Sequence, residues 1–516
     1  MPEAKGKKGI GRRDFLKQGA VGATAVALAG LAPRQGKAHE VDVPARWDVE
    51  GEVVIVGSGG GMAAAIEALD AGADALILER MGELGGQTAR CAGIIYGAGT
   101  SVQRAAGIAD TPEEMVKYWM ACAHGQADAE VIKAIAYKSA ETIDWLIGMG
   151  CEFAPEELYF SGMEREPEYA ATTPPKPRGH RQKGESGGPI LTGYLLYGYI
   201  KKKAMKEGVR ILLETRATEL IANDQNEVLG VTAEGQGKTL FIKAGRGVIL
   251  ATGNSTANPD LRRRFEWYGE RYFDPFPFDT GDGILMAQAL GADLISMNNT
   301  SGYGGDRQPV PVGEPSPFSP ARRFPSIYVN KRGRRFVNED CYHAIVGDAA
   351  RRQNDFVVFQ IFDDEIRKKV EPIPEATKAK LIAASTITEL AAKAGIDRGG
   401  LEETIARWNQ HAAHGEDPEF GKKGVTVGPI QIPPFHAYDV SAPPVLSRTS
   451  CGGLRINARA QVLDVEGKAI PRLYAIGGTT GGGIGRLYPA SGGALCRALN
   501  LGRIAGRNAA AEKPWD

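Results

Sequence analysis

From Glu52 the chain alternates between two hydrophobic periods. Val53-Val54-Ile55-Val56 is a short continuous apolar run, and Gly57-Ser58-Gly59-Gly60-Gly61 breaks it. An Ala-rich stretch with helical spacing reaches Ala71, and a second apolar run, Ala75-Leu76-Ile77-Leu78, ends in Glu79. A buried strand, a glycine turn, a helix and a second buried strand form a βαβ unit. Residues 110–150 read as helices, with Glu113 and Glu114 in a first turn after Thr111-Pro112. Residues 154–188 are rich in Pro, Gly and charge and predict a long loop over a site. A helix over Tyr194–Lys206 follows. Strands are then expected over Val209–Glu214, Glu219–Asn223, Val228–Glu234, Thr239–Lys243 and Val248–Thr252.

Between residues 285 and 440 the βαβ rhythm stops, prolines cluster at 309–320, and helices are expected around 374–415. Strand patterning returns at Gly453–Leu463 and Leu473–Ile476, before a Gly-rich turn and a last helix to Ala510. The expected plan is an α/β, Rossmann-like nucleotide domain split in sequence (39–284 and 441–516). It carries an inserted α+β cap at 285–440.

The first 38 residues stand apart. Gly11-Arg12-Arg13-Asp14-Phe15-Leu16-Lys17 precedes an uncharged stretch from Gln18 to Ala32 and a small-x-small site at Gly36-Lys37-Ala38. This resembles a twin-arginine export signal, so a periplasmic or otherwise exported protein is expected. The apolar run is too short for a membrane span, and no later stretch reaches that length. The segment holds eight of the 62 basic and two of the 62 acidic residues. The remainder, with 54 and 60, carries a net charge of −6. Nothing in that balance favours nucleic acid. Six cysteines stand far apart and none forms Cys-x-x-Cys, so no haem, zinc or iron–sulfur spacing exists and buried thiols are expected.

The chemistry begins at the glycine turn. Gly57-x-Gly59 sits between strand and helix, and Glu79 follows 22 residues after Gly57. Such glycines let backbone N–H groups and a helix N-terminus approach a pyrophosphate, while the acidic residue takes ribose hydroxyls. Met62 replaces the third expected glycine, and Gly60 and Gly61 supply close approach. Three later segments add to this: Leu84-Gly85-Gly86-Gln87-Thr88, Val248 through Ala251-Thr252-Gly253, and Leu473 through Gly477-Gly478.

Four such pieces in this order resemble the fumarate reductase/succinate dehydrogenase flavoprotein superfamily, which includes the 3-ketosteroid dehydrogenases. The resemblance spans nearly all of residues 50–510 and implies FAD. Its implied contacts are Gly57, Ser58, Gly59, Gly60, Gly61, Glu79, Arg80, Gly85, Gly86, Gln87, Thr88, Ala251, Thr252, Gly253, Asp282, Gly477, Gly478, Gly493 and Leu495. Members with covalent FAD carry a His after the second glycine run. Residues 87–93 contain none, so non-covalent FAD is implied. Gly478 stands where the superfamily usually has a Glu. No metal is implied.

Two branches compete for the reaction. Soluble fumarate reductases resemble the chain from Tyr328-Val329-Asn330 to Asn338-Glu339, with an upstream Arg as proton donor. Arg322 stands near that offset, beside Arg323. Their His before the 452–453 glycines is missing (Thr449-Ser450-Cys451). Their dicarboxylate-binding Arg has only Arg486 as an approximate counterpart. A dicarboxylate needs two cationic partners.

Tyr488-Pro489-Ala490-Ser491-Gly492-Gly493 instead resembles the Tyr-Pro-x-x-Gly segment of 3-ketosteroid Δ1-dehydrogenases. There the Tyr hydroxyl and the Gly N–H bind the substrate carbonyl. Tyr342 stands near that family's catalytic Tyr, with His343 and Arg322 as candidate helpers. A further family Tyr matches Tyr159 or Tyr169. Adjacent residues on a regular element face apart, so His343 is expected to play a structural part. His180 is expected to cap or orient its loop, and Arg334-Arg335 to be solvated charge, with a place for Arg335 at the domain junction as the alternative.

The leading expectation is desaturation of a cyclic or steroid-like ketone, or reduction of the enone, with an unidentified electron partner. The alternative is a periplasmic respiratory reductase of an unsaturated carboxylate such as fumarate, urocanate or a cinnamate-like acid. A third reading is a flavin-carrying electron-transfer subunit.

Overall fold

The computed structural model describes residues 43–183, 192–265, 276–301, 324–353, 357–370, 381–440 and 449–515. Residues 1–38, where an export signal is expected, and Arg322 lie outside them. The main sheet has eight strands. Its continuous path runs Gln461–Leu463, Ala469–Ala475, Lys238–Leu250, Val49–Val56, Ala75–Leu78, Arg210–Leu212. Val49–Val56 pairs in parallel with both Ala75–Leu78 and Lys238–Leu250. Covered on both faces, its central residues Val53, Val54 and Ile55 have no exposed surface. Each such side chain stabilises the fold by roughly 1.5–3 kcal/mol.

Lys238–Leu250 is one strand of 13 residues, where the sequence predicted two. Its first half pairs antiparallel with Val228–Gly235 and its second half in parallel with Val49–Val56 and Ala469–Ala475. Gly245 and Gly247 fall where the partners change, which the pattern read as a break.

The sheet is completed from the far end of the chain. Ala469–Ala475 enters it in parallel, and the helix Gly493–Ala510 then lies against the helix Gly61–Asp70. Small residues set that contact. A Cβ on Gly506 would overlap the Ala64 carbonyl, and one on Gly502 would stand 3.0 Å from Gly60 O. A buried ion pair, Arg503 to Glu67 at 2.5 Å, joins the same helices.

The cap has its own sheet, in the order Ile327–Asn330, Val358–Phe362, Phe435–Asp439, Ile382–Ala384, all antiparallel. The helices Ile387–Ala394 and Arg398–Ala412 pack on it through Leu390, Leu401, Ile405 and Trp408. The predicted helical region therefore begins at Ile387; residues 371–380 lie outside the described part. Arg335 does not hold the domain junction. It is buried within the cap, paired with Glu339 at 3.0 Å and Asp417 at 2.9 Å, over the rings of Trp408 and Phe420.

The loop expected over 154–188 carries more order than predicted. It contains a short helix, Pro167–Ala170, and a strand, Gly179–Arg181, paired with Ile94–Tyr96. The alternation of the latter is too short to stand out among the neighbouring prolines. Among the described residues no helix is long and apolar enough to cross a membrane. All six cysteines are free thiols, and Cys122, Cys151, Cys451 and Cys496 are buried.

Candidate active site

The four glycine segments meet at the carboxyl edge of the main sheet. Gly57 leaves its strand at φ +105°, and a Cβ there would overlap the Ala251 carbonyl. A Cβ on Gly59 would stand 3.0 Å from Thr88 Oγ1 and 3.2 Å from Gly85 O, which puts the first two glycine runs side by side. Gly85 N–H donates to Ser58 Oγ at 2.9 Å. Ser58 in turn donates to Glu79 Oε2 through its hydroxyl (2.5 Å) and its N–H (3.0 Å). Met81 N–H occupies Glu79 Oε1 at 3.0 Å. The two carboxylate oxygens thus fix the turn and keep further lone pairs for ribose hydroxyls.

Gly477-Gly478 closes on Ala251-Thr252-Gly253. Thr252 and Thr479 hydroxyls are 3.2 Å apart, and a Cβ on Gly478 would stand 3.1 Å from Asn254 N. Gln87 donates its side-chain amide to Asp279, tying the second glycine run to the segment before the helix Asp282–Ala289. Arg80 donates to Thr280 at 2.8 Å and reaches Asp282 at 3.4 Å, and Arg216 pairs with Asp282 at 2.9 Å. Asn254 is buried, and its side-chain N–H₂ has no protein partner among the described residues. Backbone donors, close-approach glycines, an acidic residue and a buried free donor suit a dinucleotide.

The second constellation lies where the helix Gly493–Ala510 begins. Gly492 caps it at φ +93°, and its N–H has no partner among the described residues. Tyr488 is buried, and its hydroxyl accepts the Ala494 N–H at 2.8 Å. One lone pair being committed, the O–H hydrogen remains to be donated. Burial holds this phenol well above its usual titration range, although Ala494 N–H and Arg497 pull the other way.

Tyr342 belongs to the same small cluster as Tyr488, with Ala344, Cys451 and Ile484. Its hydroxyl lies 3.3 Å from Ser491 Oγ. Burial raises its pKa well above the ordinary value, Tyr488 raises it further, and Ser491 offsets part. A base at this position needs a lowered pKa or a relay; the structure has the opposite shift. His343 was expected to face elsewhere, yet the two rings lie with centroids 4.0 Å apart. Tyr342 is the cap of the helix His343–Arg351, at φ −54° and ψ 140°, so the alternation of a regular element does not apply.

Of the two candidate loop tyrosines, Tyr159 has a buried hydroxyl without a hydrogen-bond partner among the described residues, and the Arg181 guanidinium lies over its ring. Tyr169 is instead held by His124 Nε2 at 3.1 Å. Arg486 pairs with Asp348 at 2.9 Å, on the helix His343–Arg351. His180 is buried between Thr100 Oγ1 and Arg178 O, both at 2.9 Å, and burial pushes its pKa down to about 4. It orders its loop as a neutral imidazole. Sequence reasoning left out Ser491, Asn254 and Asp279. Ser491 lies inside the Tyr-Pro-x-x-Gly motif, but nothing marks the other two.

A family model described as FAD binding domain matches residues 52–495. The chain belongs to this FAD-binding family. It is an FAD-dependent oxidoreductase of the fumarate reductase and ketosteroid dehydrogenase group. A solved 3-ketosteroid-Δ4-(5α)-dehydrogenase from Rhodococcus jostii RHA1, in complex with 4-androstene-3,17-dione, is 34% identical with a TM-score of 0.78. That match covers 92% of this chain and 99% of the other. Digoxin reductase from Eggerthella lenta is 29% identical over 99% of this chain and 98% of its own. A probable fumarate reductase from Shewanella frigidimarina is 29% identical over 89% of this chain and 74% of its own. The flavoprotein therefore spans most of the length of each.

Proposed function

We propose that this flavoprotein exchanges two hydrogens across the C–C bond next to the carbonyl of a cyclic, steroid-like ketone. The observation that supports the reading is a buried Tyr488 hydroxyl with its hydrogen still to donate and a Gly492 N–H without a partner among the described residues, on one short segment, with Tyr342 packed in the same cluster as Tyr488. Tyr488, fixed by Ala494 N–H, and the uncommitted Gly492 N–H receive the carbonyl oxygen. They stabilise the negative charge that grows there as the α-carbon loses or gains a proton. Losing one such donor costs on the order of 3–4 kcal/mol. Tyr342 holds the α-proton at its hydroxyl oxygen, with Ser491 Oγ beside it. FAD, when bound, accepts or supplies the β-hydride at N5.

In enone reduction Tyr342 delivers its phenolic proton to the α-carbon; in desaturation its oxygen takes the α-proton only after its own proton has been passed on, with the Ser491 hydroxyl beside it as the first acceptor. A phenol raised above its usual pKa by burial is protonated at neutral pH, the form that the reductive direction needs. The lack of a His in residues 87–93, after the second glycine run, supports non-covalent FAD. Residues 1–38 support export to the periplasm.

The second reading is an unsaturated-carboxylate reductase, favoured by the fumarate reductase relative. Arg486, its one candidate carboxylate partner in the C-terminal segment, is already paired with Asp348. The test is anaerobic visible absorbance of the flavin with saturated or partly saturated cyclic 3-ketones, and of dithionite-reduced flavin with the enones. Bleaching or reoxidation that Tyr488→Phe slows by about 10²–10³-fold is the expected result. Reoxidation by fumarate or urocanate alone, indifferent to Tyr488, would overturn the ketone reading.

A further inference from the structure

The carbonyl-binding segment hangs from the C-terminal half of the helix Pro112–Ala123. Arg486 N–H donates to Ala123 O and Leu487 N–H to Cys122 O, both at 3.2 Å, so the last carbonyls of that helix are used to hold the segment. One turn earlier, Tyr118 is fully buried, and its hydroxyl makes two bonds. It donates to Pro489 O at 2.5 Å and accepts Met163 N–H at 2.8 Å. Pro489 has no N–H, so its carbonyl is the sole backbone group by which that residue can be fixed.

The other side is a paired backbone. Gly162 bridges Ala490, and Ser491 N–H donates to Ser161 O at 2.8 Å. The approach is so close that a Cβ on Gly162 would overlap Pro489 O and stand 2.8 Å from the Tyr118 hydroxyl. The Tyr118 ring is itself fixed. Tyr96 stacks on it at 6.3 Å, Tyr169 meets it edge-on at 6.3 Å, and the Arg178 guanidinium lies 5.9 Å from its centroid. Arg178 is locked by two bonds to Asp110, at 2.7 and 2.6 Å, with both side chains unexposed. Backbone bonds therefore fix residues 486, 487, 489 and 491, while Gly492 N–H is left uncommitted.

We propose that Tyr118 is a positioning residue for the carbonyl-binding donors Tyr488 and Gly492, an inference that rests on the function proposed above. Its unexposed hydroxyl is spent on the backbone of Pro489 and Met163. Its hydroxyl sets where the backbone carries Tyr488 on one side of Pro489 and Gly492 on the other. Nothing in the sequence marks it, because a tyrosine on the buried face of an amphipathic helix reads as core.

The experiment compares Tyr118→Phe, Tyr488→Phe and the double variant, each as the full flavin-loaded protein. Two readouts are used. One is kcat with a cyclic 3-ketone or its enone. The other is the fraction of bound 4-nitrophenol present as phenolate, which reports oxyanion stabilisation without turnover. In the otherwise unchanged protein, Tyr118→Phe should lower kcat by about 10- to 100-fold, the scale of a small misplacement of catalytic groups, and lower the phenolate fraction with it. In the Tyr488→Phe background the further loss should shrink to about threefold or less, since coupled residues are not additive. An equal factor in both backgrounds, or an unchanged phenolate fraction in Tyr118→Phe, would overturn the proposal. Should Tyr118→Phe not retain flavin, Gly162→Ala takes its place. It presses on the same Pro489 carbonyl with Tyr118 intact, and the same two results support or overturn the proposal. A parent protein that neither turns over ketones nor ionises the phenol overturns the parent function itself, and that is read before any variant.

Discussion

Replacing Gly492 by Ala separates backbone strain from loss of a catalytic donor. At φ +93° an L-residue carries a left-handed penalty of roughly 1–2 kcal/mol. The new Cβ would stand 2.8 Å from Ile94 Cγ2, 2.9 Å from Ile94 O and 3.0 Å from Ile94 C. Ile94 begins the strand paired with Gly179–Arg181, so its backbone cannot simply turn aside. Such overpacking adds about 1–3 kcal/mol, giving roughly 2–5 kcal/mol in all. The control is Gly395→Ala, at φ +67° with nothing within 4 Å of the added Cβ, which carries the dihedral penalty alone. Chemical denaturation should show Gly492→Ala as the more destabilised by the contact term. Its kcat should fall by about 10²–10³, as when an oxyanion donor is displaced, while Gly395→Ala keeps full activity. Equal destabilisation of the two, with kcat intact in both, would refute the placement of Gly492 at the carbonyl.

Three further outcomes follow from buried groups. Glu79→Ala removes the acceptor of both Ser58 donors and should cost about 1–3 kcal/mol; flavin fluorescence titration should show at least a ~10-fold weaker FAD affinity. Arg335→Met leaves Asp417 buried without its cation and Glu339 with Lys422 at 3.5 Å, and should destabilise the protein by about 3–5 kcal/mol in urea. Its flavin spectrum should be unchanged, because the site is remote from the cradle. His180 has a folded pKa near 4 against an ordinary 6.5, so its contribution is complete above pH 6.5 and declines as pH falls towards 4. By pH ~5 that loss is about 2 kcal/mol. Denaturation at pH ~7.5 and ~5 should show a pH-dependent loss smaller by that amount in His180→Gln, and an identical loss would refute the assignment.

The nucleotide cradle is legible because its residues act through conformation. A glycine at positive φ between a strand and a helix leaves the same trace wherever it occurs, and Gly57, Gly59 and Gly85 come together as their spacing implies. Tyr488 and Tyr342 are legible only through a family motif, and the structure adds their shared cluster with Ser491. What the sequence hides depends on contacts between distant segments. Gln87 with Asp279 and Tyr118 with Pro489 join residues far apart in the chain, and neither member of either pair is unusual locally. The tilted ring contact of Tyr342 with His343 escapes a reading by alternation because a helix cap does not follow the geometry of a regular element. The single strand Lys238–Leu250 looks divided at glycines that mark a change of partner, not an end.

The order in which the chain is made bears on how the enzyme acquires its cofactor. Domains generally fold as they emerge from the ribosome. Here the first strand, Val49–Val56, and its glycine turn are complete only when Ala469–Ala475, Gly477-Gly478 and the helix Gly493–Ala510 have been synthesised. FAD loading is therefore expected to follow synthesis of the whole chain, and a product truncated before the helix Gly493–Ala510 should bind flavin weakly even with every residue of the first glycine turn intact.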